Sequence, residues 1–173
     1  MPITRLNHAV LYVSDLERSV RFYTGVLGFR RIPMTPEGFQ GAAFLQAAGS
    51  VNDHDLGLFE IGSHAGPSAA GRATVGMYHL AWEVDTLAEL ERLAGVLTEA
   101  GALSGASDHG TTKSLYGADP DGLEFEIAWI IPAELLDDAA LEGRKRIRRL
   151  DLAKEKERYG AQTHGGIRSP VEL

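Results

Sequence analysis

Between His109 and Glu126 the chain sets out an imidazole, a phenol at Tyr116, the turn Asp119-Pro120-Asp121-Gly122, and a carboxylate. Histidine is the side chain best suited to moving a proton near neutral pH, and a phenol can hydrogen-bond a substrate oxygen. Glu126 stands between Phe125 and Ile127, in an apolar run that continues through Trp129 and Ile131. An unpaired carboxylate is expensive to bury, so a cation or a metal ion is the expected compensation. Further histidines that invite chemistry are His8, His54 and His79; His64 and His164 lie in small-residue loops and are assigned no role.

The elements that position these groups follow from turn chemistry and periodicity. Pro120 fixes φ and Gly122 accepts a positive φ, so the chain reverses at residues 119–122. Beyond the turn Leu123, Phe125 and Ile127 alternate with Glu124, Glu126 and Ala128, which is a strand pattern. A weak internal repeat organises the rest. His8-Ala-Val-Leu-Tyr-Val13 is echoed by His79-Leu-Ala-Trp-Glu-Val84, and a leucine follows eight residues after each histidine, at Leu16 and Leu87. Each half then enters a helix through a capping box, Ser14-x-x-Glu17 or Thr86-x-x-Glu89. Apolar stripes at Leu16, Val20, Tyr23 and Leu27, and at Leu87, Leu90, Ala94 and Leu97, give both helices a buried face.

Strand-like runs follow at 29–33, 41–46 and 56–61 in the first half, and at 102–103, 113–116 and 123–131 in the second. Each half therefore reads as βαβββ, which makes the fold class α+β. The first module spans 5–61, a turn-rich linker 62–76, and the second module 77–131, so 1–131 is expected to form one domain. Residues 132–173 are expected to add a C-terminal helix over 133–158, docked through Leu135, Leu136, Leu141, Ile147 and Leu150, and then a patternless tail.

The length, 173 residues, suits one compact domain with an appendage. No apolar run approaches a membrane span, and the N-terminus lacks the apolar core of a secretory signal. Zero cysteines exclude disulfides, a thiolate nucleophile and a cysteine-based zinc site, and fit a reducing cytoplasm. A net charge of −7 argues against nucleic acid as the main partner. The bases Arg144, Lys145, Arg146, Arg148, Arg149, Lys154, Lys156 and Arg158 are interspersed with Glu142, Asp151, Glu155 and Glu157, as on a solvated helix.

Two βαβββ modules with a histidine on the first strand of each resemble the vicinal oxygen chelate superfamily, over roughly residues 5–131. Within it, the segment His109–Glu126 is similar to the signature of extradiol ring-cleavage dioxygenases. Ser107 departs from that signature, where Gly, Asn, Thr, Ile or Val is usual. A second departure is architectural: many extradiol enzymes carry a duplicate N-terminal domain, for which this chain has no room. The resemblance implies that His8, His79 and Glu126 bind iron(II), with manganese(II) as the alternative ion. Two imidazoles and one carboxylate form a facial triad with three coordination positions open. The resemblance further implies that His54, in Asp53-His54-Asp55-Leu56, is an acid/base group, and that His109 and Tyr116 hydrogen-bond the substrate oxygens. The implied substrates are a catechol-type diol and dioxygen, and the implied product is a ring-opened semialdehyde. Proteins of this fold often pair subunits, so a homo-oligomer is compatible with the resemblance.

Two other functions fit the same fold. Phe59-Glu60-Ile61 mirrors Phe125-Glu126-Ile127, so Glu60 is a candidate fourth ligand. Such a site would resemble a glyoxalase or epimerase, in which a metal held by two carboxylates supports proton transfer without oxygen. A ligand-sequestering protein is the other alternative, using the cleft without a metal triad. Because an extradiol site needs three open positions, Glu60 is expected not to coordinate. Phe39, Phe44, Trp82 and Trp129 are candidates to line a cleft or to fill the core.

Overall fold

A computed structural model describes residues 2–3, 5–34, 40–68 and 73–166. Phe39 lies outside the described residues, as does the tail from 167. The chain divides into two compact units, Met1–Ser68 with Asp119–Gly122, and Ala69–Ala118 with Leu123–Leu173.

The first unit runs β1 (Ala9–Val13), α1 (Leu16–Gly25), β2 (Arg30–Ile32), β3 (Ala42–Gln46) and β4 (Leu56–Glu60), which is the expected βαβββ order. Its sheet is ordered β1-β4-β3-β2, with β1 parallel to β4 and the other pairs antiparallel. The faces separate cleanly. Leu11 and Val13 of β1, Ala43 and Leu45 of β3, and Leu56 and Leu58 of β4 are buried beneath Leu16, Val20 and Tyr23 of α1. The opposite face carries Val10, Tyr12, Gly57, Phe59, Ala42 and Phe44.

The helix start differs from the expected box. Asp15, not Ser14, is the N-cap, and its Oδ1 accepts from the Arg18 N–H at 2.8 Å. Ser14 is engaged elsewhere. Its N–H donates to Asp121 Oδ2 at 2.9 Å and its hydroxyl to Asp121 Oδ1 at 2.5 Å. Arg18 pairs with the same carboxylate, and the Tyr23 hydroxyl donates to Asp119 at 3.1 Å. Burial and the Asp119 charge push the Tyr23 phenol far up, so it remains a donor. The Asp119–Gly122 turn, closed by the Gly122 N–H on the Asp119 carbonyl with Gly122 at φ 79°, thus holds the start of α1.

The second unit repeats the order as β5 (Leu80–Glu83), α2 (Leu87–Glu99), β6 (Leu103–Asp108), β7 (Thr112–Ala118) and β8 (Glu124–Ile130). Here Thr86 is the N-cap, accepting from the Glu89 N–H at 3.2 Å. Leu93 rather than Ala94 completes the buried stripe with Leu87, Leu90 and Leu97. Under it lie Leu115, Phe125, Ile127 and Trp129. Trp82 is registered with Ile127 and so shares that face. Trp129 is completely buried, so it is core and not cleft lining.

The segment 133–158 is not one helix. It forms a 3₁₀ turn at Ala133–Leu135, α3 (Asp138–Gly143), a two-residue strand β9 (Arg148–Arg149) on the edge of β6, and α4 (Leu152–Tyr159). Of the expected docking residues only Leu150 is buried; Leu135, Leu141 and Ile147 are exposed. The sheet order is β5-β8-β7-β6-β9. Among the described residues no helix is long and apolar enough to cross a membrane.

Candidate functional site

In the second unit four of the singled-out side chains form one connected line. Tyr116 and Glu126 are directly paired across β7 and β8, on the sheet face away from α2. The Tyr116 hydroxyl donates to Glu126 Oε1 at 3.4 Å. The other carboxylate oxygen, Oε2, faces His79 Nε2 at 3.1 Å. From the far side His109 Nε2 meets the Tyr116 hydroxyl at 2.7 Å. Burial and the Glu126 charge push the Tyr116 phenol up, so it stays protonated and able to donate at neutral pH. Glu126 is therefore not an outward strand glutamate: its side chain is 14% exposed and meets an imidazole and a phenol.

His79 and Glu126 suit a divalent first-row ion. An imidazole nitrogen and a carboxylate oxygen, on neighbouring strands and one sheet face, are the donor types such ions prefer. The Nδ1 of His79 is buried with no hydrogen-bond partner among the described residues. Among those residues no group of three or more His, Asp or Glu side chains is gathered as a metal cluster.

In the first unit His8 and His54 stand together, with ring centroids 4.5 Å apart. His54 also meets the Phe44 ring edge-on at 5.0 Å, and its Nδ1 lies 3.0 Å from Asp53 Oδ2. The support beneath this pair is a feature that the motifs do not announce. Asp55, buried at the start of β4, accepts from the Ala47 N–H, the Ser50 hydroxyl and the Asn52 amide, at 2.7–2.8 Å. The same Asn52 amide donates to the Asn7 carbonyl at 2.9 Å. One side chain thus ties the residue before His8 to the residue after His54. The detectable signal is composition: Asn, Ser and Asp crowd residues 50–55, where such side chains replace backbone turns.

Strand register separates Glu60 from the position of Glu126. In the second unit Leu80 pairs with Phe125 and Ala81 with Glu126. In the first unit Ala9 pairs with Leu56 and Val10 with Gly57. His8 and His79 precede equivalent strands by one residue, so the position matching Glu126 is Gly57. Glu60 lies three residues further along, opposite Val13. Its Oε2 accepts from the Leu16 N–H at 2.7 Å, at the start of α1. The mirrored Phe-Glu-Ile triplets are a sequence echo that the register does not respect. A carboxylate at a helix N-terminus satisfies an otherwise orphaned donor and the helix dipole. Glu60→Ala should therefore cost about 1 kcal/mol of stability and leave the metal content per chain unchanged. Metal analysis beside a thermal melt checks both; loss of metal with an unchanged melt would reverse the assignment.

Comparison with known proteins supplies the context. Residues 5–127 match the family described as Glyoxalase/Bleomycin resistance protein/Dioxygenase superfamily. The catechol-2,3-dioxygenase of Bacillus subtilis is 33% identical over 127 residues, which cover 72% of this chain and 41% of that protein. The chain thus spans about two-fifths of that relative's length. The lactoylglutathione lyase of Salmonella typhimurium is 33% identical over 133 residues, covering 71% of this chain and 90% of that enzyme. A glyoxalase/dioxygenase from Nostoc punctiforme has the same fold, with a TM-score of 0.58 at 24% identity over 72% of this chain and 89% of its own.

Proposed function

The chain belongs to the Glyoxalase/Bleomycin resistance protein/Dioxygenase superfamily, and from that premise we propose that it is an iron(II)-dependent extradiol dioxygenase acting on a catechol-type diol. The observation that carries this reading is Gly57 in the position matching Glu126. With no carboxylate there, His8, His79 and Glu126 are the residues that would hold the ion on this reading, and three positions would be left for two diol oxygens and dioxygen. Iron(II), or manganese(II) in its place, would bind the diol and dioxygen together and relay electrons between them.

The chain's own groups handle orientation and protons. The Tyr116 hydroxyl and His109, linked at 2.7 Å, are the pair that would hydrogen-bond substrate oxygens. His54, with its Nδ1 on Asp53, is oriented to give or take a proton at Nε2. Phe44 and Phe59 flank Gly57 within 3.5 Å of where a Cβ would stand, an apolar wall suited to an aromatic ring. The absence of cysteine accords with work in a reducing cytoplasm.

The test is an aerobic assay of iron(II)-loaded protein against a catechol panel, followed by the visible absorbance of the ring-opened product. His54→Ala should keep iron and bind catechol yet turn over about 10²–10⁴-fold more slowly. Parent-like turnover in that variant would remove His54 from the reaction. A second reading, a glyoxalase-like lyase, is favoured by the match along 90% of lactoylglutathione lyase. It predicts oxygen-independent isomerisation of a hemithioacetal, and activity surviving under argon would select it.

A further inference from the structure

The family match ends at residue 127, and three parts of the chain beyond it converge on one short turn. That turn, Asp108–Thr112 between β6 and β7, carries His109. Its backbone is closed by the His109 N–H on the Thr112 carbonyl and the Thr111 N–H on the His109 carbonyl. In α3, Gly143 packs so closely on Gly110 that a Cβ on Gly143 would stand 2.9 Å from the Gly110 Cα. In β9, Arg148 and Arg149 pair with Asp108 and Ser107. In α4, buried Glu155 faces the Lys113 ammonium at 3.0 Å.

Lys113 connects the third contact to the turn. It is 1% exposed and lies on the face of β7 opposite Tyr116. Its ammonium donates to Asp108 Oδ1 at 2.5 Å and to the Gly110 carbonyl at 3.1 Å. Asp108 Oδ1 also accepts the Gly110 N–H at 2.8 Å. The residues on both sides of His109 are therefore wrapped around one ammonium, and α4 supplies that ammonium with its second carboxylate. Trp129, registered with Lys113, is covered by the Tyr159 ring of α4 at 5.7 Å, which seats the helix over this spot.

We propose that residues 133–166 form a brace for the candidate active site: through Gly143, β9 and the Glu155–Lys113 pair they fix the β6–β7 turn so that the His109 imidazole is held on the Tyr116 hydroxyl. Glu155 and Lys113 are positioning residues and touch no substrate. The catalytic consequence rests on the dioxygenase reading, whereas the positioning itself does not. The brace gives the site a dependence on its C-terminal segment that the matched region alone does not contain.

Two variants disturb the turn by unrelated means. Glu155→Gln removes the carboxylate charge that α4 presents to Lys113 but leaves Asp108 to neutralise that ammonium, so the fold is retained. Gly143→Ala pushes a methyl group against the Gly110 Cα. In both, imidazole ¹⁵N shifts of His109 should move towards those of a free, tautomer-averaged ring. Amide exchange across 109–112 should quicken roughly tenfold, reporting easier local opening, while exposed His64 serves as an unmoved control. With an active catechol substrate, kcat should fall while KM stays near the parent's. Unmoved His109 shifts and exchange in both variants would overturn the brace, whatever the activity. Shifted His109 signals in a protein that cleaves no catechol would uphold the brace and sink the dioxygenase reading alone.

Discussion

Glu126→Ala should lose iron(II) affinity by more than about 100-fold, beyond the 10–100-fold that follows when a group supporting a metal ligand is removed, and ring cleavage should disappear with the metal. The side chain lies on the face of β8 away from the packed core, where Phe125 and Ile127 bury the other face, so the fold should survive its removal. Its loss strips His79 Nε2 of the carboxylate 3.1 Å away and the Tyr116 hydroxyl of an acceptor. His79→Ala should have the same effect from the other side of the pair, and His8→Ala should match both. Titration calorimetry with iron(II) under anaerobic conditions, and metal content after desalting, measure this directly. Parent-like binding by a folded Glu126→Ala protein would remove the carboxylate from the ligand set.

The largest stability effect is expected at Lys113. Lys113→Met strands two carboxylates, Asp108 and Glu155, that now share one buried ammonium. Breaking a buried ionic group by removing one partner costs about 3–5 kcal/mol, which corresponds to a fall of roughly 2 M in the urea midpoint. The pH dependence gives an independent sign. Burial alone would push the Asp108 carboxyl up, but the Lys113 ammonium and the Gly110 N–H together hold it below the usual carboxylate range. A depressed folded value means this stabilisation is complete above the unfolded pKa, about 4, and fades as the pH falls through the lower value. In Lys113→Met that part of the acid sensitivity should vanish. A midpoint within 0.5 M of the parent's, on the order of 1 kcal/mol, would show that the cluster contributes little.

The repeat is legible in the sequence because local patterns announce it. Thr86 caps its helix as expected, Leu87, Leu90 and Leu97 are buried as the stripe requires, and five of the six strand runs in 29–61 and 102–131 appear near their expected bounds, whereas the run expected at 102–103 is the longer strand Leu103–Asp108. Features that escape the sequence depend on partners distant in the chain. Ser14 looks like a cap, but Asp121, 107 residues on, takes its donors and leaves Asp15 to start α1. Lys113 reads as one charged residue in a strand, because Glu155 lies far beyond it. The spaced leucines of the C-terminal segment suggest one helix, although two local stops and starts are present. Asp137 and Asp151 each cap a short helix, accepting from Ala140 and Lys154, and each marks a fresh beginning. At the site, residue types point to His79, Glu126, Tyr116 and His109, which the structure links in one line. Glu60 misleads because matching triplets carry composition and not pairing; a three-residue offset in register sends that carboxylate to a helix end.

Gly57 ties this register to descent. Halves that share strand order and the placement of a histidine are what a duplicated gene leaves behind, and here the copies have parted at one position on the inner strand. A Cβ at Gly57 would meet the Val10, Phe44 and Phe59 side chains at 3.4–3.5 Å, which is ordinary contact. On the ligand set proposed above, a single codon change from glycine to glutamate at residue 57 would add a carboxylate at the position matching Glu126, so the dioxygenase and lyase readings of this chain part at one strand position.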